Sequence, residues 1–303
     1  MDGVGNSECD NQALSVQDLS TSIGGARVRY LRAGAGPALL LIHGLLGYSF
    51  SWRYAIPSLA RISTVYAPDL PGAGYSDPVP GMDCCFRACA ERVLGFLDAV
   101  GIRDCDLLGT SHGGAVAMMT AAMARSRVRR LILVDPVNPW SARGRSLSVF
   151  LSSPIIAPLF RELLPRSSLL QRFYFRRLFA DTNRIRPGTL EGYLKPLRRP
   201  GALGYGLAIL RSWNRDLDEL ESALARISDT PTLVVWGKLD AAVDPRSAFQ
   251  LQQKLRNSEL VILDGVGHLP YEEVPEQFNR IVSGFLLSSQ SAPSKAAHAI
   301  ENS

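Results

Sequence analysis

Along the first half of the chain, short apolar runs alternate with longer stretches of helical periodicity. Residues 27–32 alternate apolar and polar positions after a Gly24-Gly25 turn, which predicts one arm of an opening hairpin. Residues 38–42 (ALLLI) are apolar without interruption, as a strand covered on both faces requires. The pattern then predicts a helix over 51–62, a strand over 64–67, a helix over 83–100, a strand over 105–108, a helix over 115–124 and a strand over 131–134. The alternation stops between residues 137 and 229, where helical and loop-like segments with several prolines replace it. It resumes with a strand at 232–236, a helix at 245–255, a strand at 260–263 and a helix at 276–287. This order predicts an α/β fold: a mostly parallel central sheet with helices on both faces, interrupted by a helical insertion. The expected organisation is a core of residues 20–136 and 230–288, a helical cap of 137–229, and flexible termini at 1–19 and 289–303.

Composition narrows the class without changing the picture. The 303 residues are 46% hydrophobic and 20% charged, which excludes a disordered or fibrous chain. With 33 Lys and Arg against 28 Asp and Glu the net charge is +5, too small an excess to predict a nucleic-acid partner. Five cysteines (Cys9, Cys84, Cys85, Cys89 and Cys105) form no disulfide or zinc-binding pattern, and buried thiols are expected. Residues 1–19 lack the basic and apolar regions of a secretory signal, and no run of about 18 apolar residues appears. A cytoplasmic protein is therefore expected.

Charge is unevenly placed. Residues 137–229 hold 15 Lys and Arg against 8 Asp and Glu, so the insertion is basic and the remainder slightly acidic. Within it Arg172, Arg176 and Arg177 interleave with Phe173, Tyr174, Phe175 and Phe179. The reading favoured here is an amphipathic helix with one packed face and its arginines in water; membrane contact is the alternative and is not favoured.

Candidate chemistry sits at strand ends. Gly109-Thr110-Ser111-His112-Gly113 is a G-x-S-x-G sequence that follows a buried strand and opens a helix of small residues. In that setting a serine is held on a strained turn with its hydroxyl presented above the sheet. A serine hydroxyl is a poor nucleophile at neutral pH unless a base stands beside it, oriented by a carboxylate. Of the four histidines, His298 lies in the tail, and His43 and His112 belong to loops with other roles. His268, in GVGHLP just beyond the last strand, is the expected base. Asp240, in WGKLD, is the expected acid. Asp135 is its rival at the end of the 131–134 strand, and Asp244, before Pro245, reads as a helix cap. Asp240 is preferred because the order Ser…Asp…His then follows the strand ends. The His43-Gly44-Leu45-Leu46-Gly47 loop can turn backbone N–H groups toward the serine, so the amides of Leu45 and His112 are the expected oxyanion donors, with the His43 side chain bracing the loop.

With HGLLG at 43–47, DLPGAGYSD at 69–77, GTSHGG at 109–114, WGKLD at 236–240 and GVGHLPYEEVPEQF at 265–278, the chain resembles the capped subgroup of the α/β-hydrolase fold family. That subgroup includes esterases, C–C bond hydrolases, epoxide hydrolases and haloalkane dehalogenases. The resemblance implies a Ser111–His268–Asp240 triad, an oxyanion hole at Leu45 and His112, and residues 137–229 as a cap. Ser111 departs from the aspartate nucleophile of the epoxide hydrolases and dehalogenases. HGLLG departs from the G-x-G-P-G-type loop usual in C–C hydrolases and from the HGGPG of proline iminopeptidases. What remains is an esterase-like serine hydrolase acting on a small ester, thioester or lactone with an apolar acyl part, through an acyl-serine and without a cofactor or metal. Tyr174, Trp213 and Phe173 are candidate lining residues, with packing inside the cap the expected role of each. The rival readings are a C–C hydrolase or perhydrolase on the same triad, and a non-catalytic ligand receptor on the same fold.

Overall fold

The computed structural model describes residues 15–164, 167–199 and 201–288. Eight strands form one sheet in the order β1-β2-β4-β3-β5-β6-β7-β8. They are β1 (Gln17–Ile23), β2 (Ala26–Ala33), β3 (Ala38–Ile42), β4 (Thr64–Pro68), β5 (Cys105–Thr110), β6 (Val128–Val134), β7 (Thr232–Gly237) and β8 (Ser258–Leu263). The opening hairpin pairs antiparallel, β2 pairs antiparallel with β4, and every neighbour pair from β4 through β8 is parallel. Eleven helices accompany the described strands: α1 (Ile56–Leu59), α2 (Phe86–Ala99), α3 (His112–Met123), α4 (Ala142–Ser152), α5 (Ile156–Leu163), α6 (Ser168–Arg176), α7 (Thr189–Leu197), α8 (Ala202–Ala223), α9 (Ser247–Lys254), α10 (Pro270–Glu273) and α11 (Pro275–Leu287).

The continuous apolar strands are explained by what lies on each side of them. Successive side chains of β3 point to opposite faces, so Leu40 and Ile42 join a core with α2, α3, α8 and α9, while Leu39 and Leu41 join a second core with Trp52, α1 and α11. Both cores are dry, and each extends into the insertion. Leu217, Leu220 and Ala223 of α8 belong to the first, and Phe175, Phe179 and Tyr193 to the second. The described residues of the insertion hold α4 to α8 joined by loops and turns, with no strand among them. Four of the five cysteines are buried free thiols; Cys9 lies outside the described residues.

Two sequence expectations shift. Gln17–Leu19, assigned to the flexible N-terminus, open β1, paired with Arg32, Leu31 and Tyr30. The helix expected over 51–62 is instead a 3-10 turn at Ser49–Trp52 and the short α1. Pro57 lacks an N–H and sits in the first turn of α1, where that loss costs least; inside a helix over 51–62 it would remove a backbone bond. The expected flexible tail at 289–303 and the remainder of 1–19 up to residue 14 lie outside the described residues.

The sheet edge at the strand N-termini is closed by charge. Asp106 of β5 is almost wholly buried and accepts from Arg129 at 3.1 Å and from Arg130 at 3.1 Å, both on β6. Arg130 also donates to the carbonyl of Leu286 at 2.6 Å, tying the end of α11 to the sheet. Removing the carboxylate charge leaves Arg130 without its carboxylate partner, while Arg129 keeps its pair with Asp104 and both arginines reach water. Asp106→Asn is expected to lower unfolding free energy by about 2–4 kcal/mol in chemical denaturation. Asp264→Asn, which breaks the exposed Lys238–Asp264 pair, should change it by less than about 1 kcal/mol. Equal effects from the two substitutions would remove Asp106 from its structural role.

Candidate active site

The candidate residues converge because parallel strands end on one side of the sheet. β5, β6, β7 and β8 are neighbours, and Ser111, Asp135, Asp240 and His268 follow their carboxyl ends in that order. Ser111 occupies the bend between β5 and α3 with φ 53 and ψ −123, a conformation L-residues rarely adopt. It is pinned there by four backbone bonds: its N–H donates to Val134 O at 2.9 Å, and its carbonyl accepts from Val137 and Gly114, each at 3.0 Å, and from Ala115 at 3.3 Å. The flanking glycines are needed for space. A Cβ at Gly109 would collide with the Gly113 carbonyl, one at Gly113 with the His43 carbonyl, and one at Gly114 would lie 2.6 Å from Pro136 Cβ. The G-x-S-x-G spacing is therefore a packing requirement of backbone against backbone.

The HGLLG loop lies directly against this bend: a Cβ at Gly44 would stand 3.2 Å from Ser111 Cβ. Among the described residues neither the Leu45 N–H nor the His112 N–H is given to a protein acceptor. His43 braces the loop, its Nδ1 on the Gly44 carbonyl at 2.9 Å and its Nε2 accepting from the Leu70 N–H at 3.1 Å. The DLPGAGYSD stretch holds the loop from behind. Buried Asp69 accepts the N–H groups of Ser49 and Tyr75 and a 3.1 Å bond from Arg29.

His268 and Asp240 meet in a dry setting. His268 Nδ1 lies 2.7 Å from Asp240 Oδ2, and both side chains are almost fully buried. A carboxylate only accepts, so Nδ1 is the donor of this bond and Nε2 is left facing away from Asp240. Asp240 Oδ1 accepts from Ala242 and Val243 N–H at 2.7 and 3.0 Å, which fixes the carboxylate plane. The Asp240 bond is the only hydrogen bond of the His268 imidazole among the described residues. Ser111 Oγ is not bonded to it, a looser arrangement common in resting sites.

The other histidines are unsuited to proton transfer. His112 is buried beside Phe86 and Trp213, and burial pushes its pKa down to about 3. Burial also lowers that of His43. Asp135, the rival acid, is wholly buried with φ 44, and its Oδ1 accepts from Gly237 N–H at 2.8 Å. Burial, and then the neighbouring charge of Asp240, raise its pKa well above the usual carboxylate range. Burial and the neighbouring carboxylate both act to disfavour the charged form of Asp135. Asp244, expected as a helix cap, instead accepts from Arg246 N–H at 3.0 Å in the turn before α9, whose first residue is Ser247 and whose cap position is Arg246.

Asp135, Asp240 and His268 each offer a donor atom within 4.8 Å of the others, the only metal-like cluster among the described residues. Their atoms are spent on one another: a metal at His268 Nδ1 would have to displace the proton shared with Asp240. Of the three aromatic candidates, Trp213 packs on His112 and Phe86 as expected, whereas Phe173 and Tyr174 are exposed.

Two residues escaped the sequence reading. Glu273 gathers the N–H groups of Gly267 at 2.7 Å and Ala180 at 3.1 Å, and the His268 N–H donates to Leu178 O at 2.7 Å. Glu272 receives a bidentate pair from Arg53 at 2.5 and 2.7 Å and the Tyr193 hydroxyl at 2.7 Å. The signal was the YEE triplet just after the histidine, two adjacent acids in an otherwise apolar stretch.

Comparison with known proteins shows the family. The family model described as alpha/beta hydrolase fold matches residues 37–275. A 2-hydroxymuconate semialdehyde hydrolase of Pseudomonas sp. (strain CF600) is 28% identical over 283 residues, 88% of this chain and 93% of its own. A pimeloyl-[acyl-carrier protein] methyl ester esterase of Aeromonas hydrophila is 29% identical over 262 residues, 84% and 97% of the two chains. The crystal structure of a membrane phospholipase A, a bacterial virulence factor, is similar with a TM-score of 0.71 and 27% identity over 89% of this chain and 86% of its own. With the eight-stranded sheet, the strained serine bend and a family match over most of the chain, this protein belongs to the α/β-hydrolase fold family and is a hydrolase.

Proposed function

We propose that this protein is a serine hydrolase that cleaves a carboxylic ester, thioester or lactone through an acyl-serine intermediate, with Ser111, His268 and Asp240 as its triad. The observation that carries the reading is the buried His268–Asp240 pair at 2.7 Å, at the same strand edge as the strained Ser111 bend. His268 Nε2 takes the Ser111 proton as Oγ attacks the carbonyl carbon. The imidazolium so formed is stabilised by Asp240. Charge developing on the carbonyl oxygen is met by the N–H groups of Leu45 and His112. Collapse of the tetrahedral intermediate expels the alcohol, which leaves with the proton from His268. Water then repeats the sequence on the acyl-serine, releasing the acid. Residues 137–229 act as the cap over this edge. The ester reading is supported by Ser111 and by similarity to the Aeromonas esterase. Similarity to the semialdehyde hydrolase keeps C–C cleavage on the same triad as the second reading.

Ser111→Ala is expected to abolish fluorophosphonate labelling and to lower kcat on p-nitrophenyl esters by about 10⁴–10⁶-fold, with the far-UV spectrum unchanged. Labelling of the mutant at another serine with turnover near wild type would move the nucleophile elsewhere. Wild type that turns over a vinylogous 1,5-diketone but no ester in the panel would favour the C–C reading.

The two carboxyl groups are separable by the same isosteric change. Asp240→Asn is expected to lower kcat by about 10⁴-fold, because an amide cannot hold the proton on Nδ1. Asp135→Asn keeps the acceptor for Gly237 N–H and mimics a neutral acid. It should stay within about tenfold of wild type, a barrier change of about 1.4 kcal/mol. Activity lost in Asp135→Asn and kept in Asp240→Asn would assign the acid to the end of β6.

At neutral pH the proton held by Asp135 costs stability. Its folded pKa is raised, so its contribution is fully present below the unfolded carboxylate pKa of about 3.9 and is lost as pH rises through the folded value. Asp135→Asn should therefore gain stability relative to wild type between about pH 4 and 7, read from denaturation midpoints across that range. A stability difference that does not change with pH would show that Asp135 is ionised in the folded protein.

A further inference from the structure

The helices of the insertion carry an outward face that the hydrolytic site does not use. On α5, Ile155, Leu159 and Leu163 recur every four residues and are 81%, 53% and 46% exposed, while Ala157 on the opposite side is buried. On α6, Leu169 and Phe173 repeat that spacing at 79% and 63% exposure, with Gln171 and Phe175 turned inward. Gln171 Nε2 donates to Leu164 O at 2.7 Å, which fastens α6 to the end of α5 and holds the two faces in one unit. A water-facing helix is expected to be polar on such a face, so contiguous exposed apolar side chains signal a partner.

Charge says which partner. From residue 149 to residue 177 the sequence holds five arginines and one acidic residue, Glu162. Beside α6 a cavity of about 450 Å³ is lined by Arg172, Arg176, Arg186 and Arg198, with Glu191 the acidic group among its lining residues. Arg186 is paired with Glu276 at 3.2 Å. Arg172, Arg176 and Arg198 have no carboxylate partner among the described residues, so their charge is open to an external anion. A second copy of the chain would set arginine against arginine. An exposed apolar stripe beside unpaired arginines matches a bilayer surface, which offers an apolar phase together with phosphates.

We propose that the α5–α6 face docks this protein on anionic phospholipid bilayers. Ile155, Leu159, Leu163 and Phe173 enter the interface, and Arg172, Arg176 and Arg198 meet the headgroup phosphates. The contact is peripheral, since no helix among the described residues is long and apolar enough to cross a membrane. The sequence reading kept this helix packed and its arginines in water. The structure divides it: Phe175 and Phe179 pack against each other, and Phe173 and Tyr174 face out.

The test is sedimentation of the full chain with vesicles of phosphatidylcholine alone and of equal phosphatidylcholine and phosphatidylglycerol. Wild type should bind the mixed vesicles at least about tenfold more tightly than the neutral ones, and high salt should weaken the binding. Ile155→Ser/Leu159→Ser/Leu163→Ser should lose at least about tenfold in vesicle affinity. Arg172→Gln/Arg176→Gln/Arg198→Gln should lose the preference for anionic lipid. Both triple variants should label with fluorophosphonate as wild type does, which shows that they are folded; if wild type labels at no residue, circular dichroism supplies that control, and the vesicle result stands apart from the hydrolytic reading. The proposal is overturned if wild type does not sediment with mixed vesicles, or if folded triple variants bind as wild type does. It is also overturned if sedimentation velocity shows a wild-type dimer that the serine variant abolishes.

Discussion

The backbone of Ser111 is the constraint on which the rest of the active edge depends. A residue at φ 53 and ψ −123 costs of order 1–3 kcal/mol and persists only where its surroundings over-determine it. Here they do so from four sides. Val134 and Val137 hold its peptide groups, the Gly109–Gly113 approach fixes strand against helix, and the His43 carbonyl closes on Gly113. That approach also sets where the HGLLG loop can run. The buried Asp69 and His43 bonds are therefore part of the positioning of one hydroxyl.

The same strand edge brings two buried carboxyl groups together, and their different surroundings separate their roles. Asp240 faces a proton on His268 and two N–H groups. Asp135 has one N–H, at Gly237, and otherwise a dry wall. Burial and the nearby Asp240 charge raise the pKa of Asp135, so its charged form is the one this site disfavours. The order of strand ends prefers Asp240 in the sequence, a criterion independent of these hydrogen bonds.

How much of this was legible follows from the range of each interaction. Strands buried on both faces and glycines in backbone contact leave marks within a few residues, so β3, the Ser111 bend and the His268 loop could be read directly. Pro57 was also visible, yet the helix expected across it shows that periodicity was weighed above a missing N–H. Glu272 and Glu273 were not legible as anchors. Their partners Arg53, Tyr193 and Ala180 lie roughly 80 to 220 positions away, and no local pattern encodes such pairing. The division of the aromatic stretch on α6 was hidden for a related reason. Helical spacing says that Phe175 and Phe179 share a face but not which face is covered, and Tyr193 decides it from another helix.

Those distant anchors change what the insertion is. Three residues of the 178–181 stretch complete the link: Leu178 O receives the His268 N–H, while Ala180 and Asp181 give their N–H groups to Glu273, which also holds Gly267. This stretch begins two residues after the end of α6. The loop that presents His268 is thus hydrogen-bonded on one side to Asp240 and on the other to the insertion. A shift of α6 as a unit would pull on the Leu178 carbonyl and so on the backbone of His268, whereas Ser111, pinned by β6 and the HGLLG loop, would stay. The His268 loop is therefore tied to the insertion as well as to Asp240, whereas the Ser111 bend is tied to β6 and to the core.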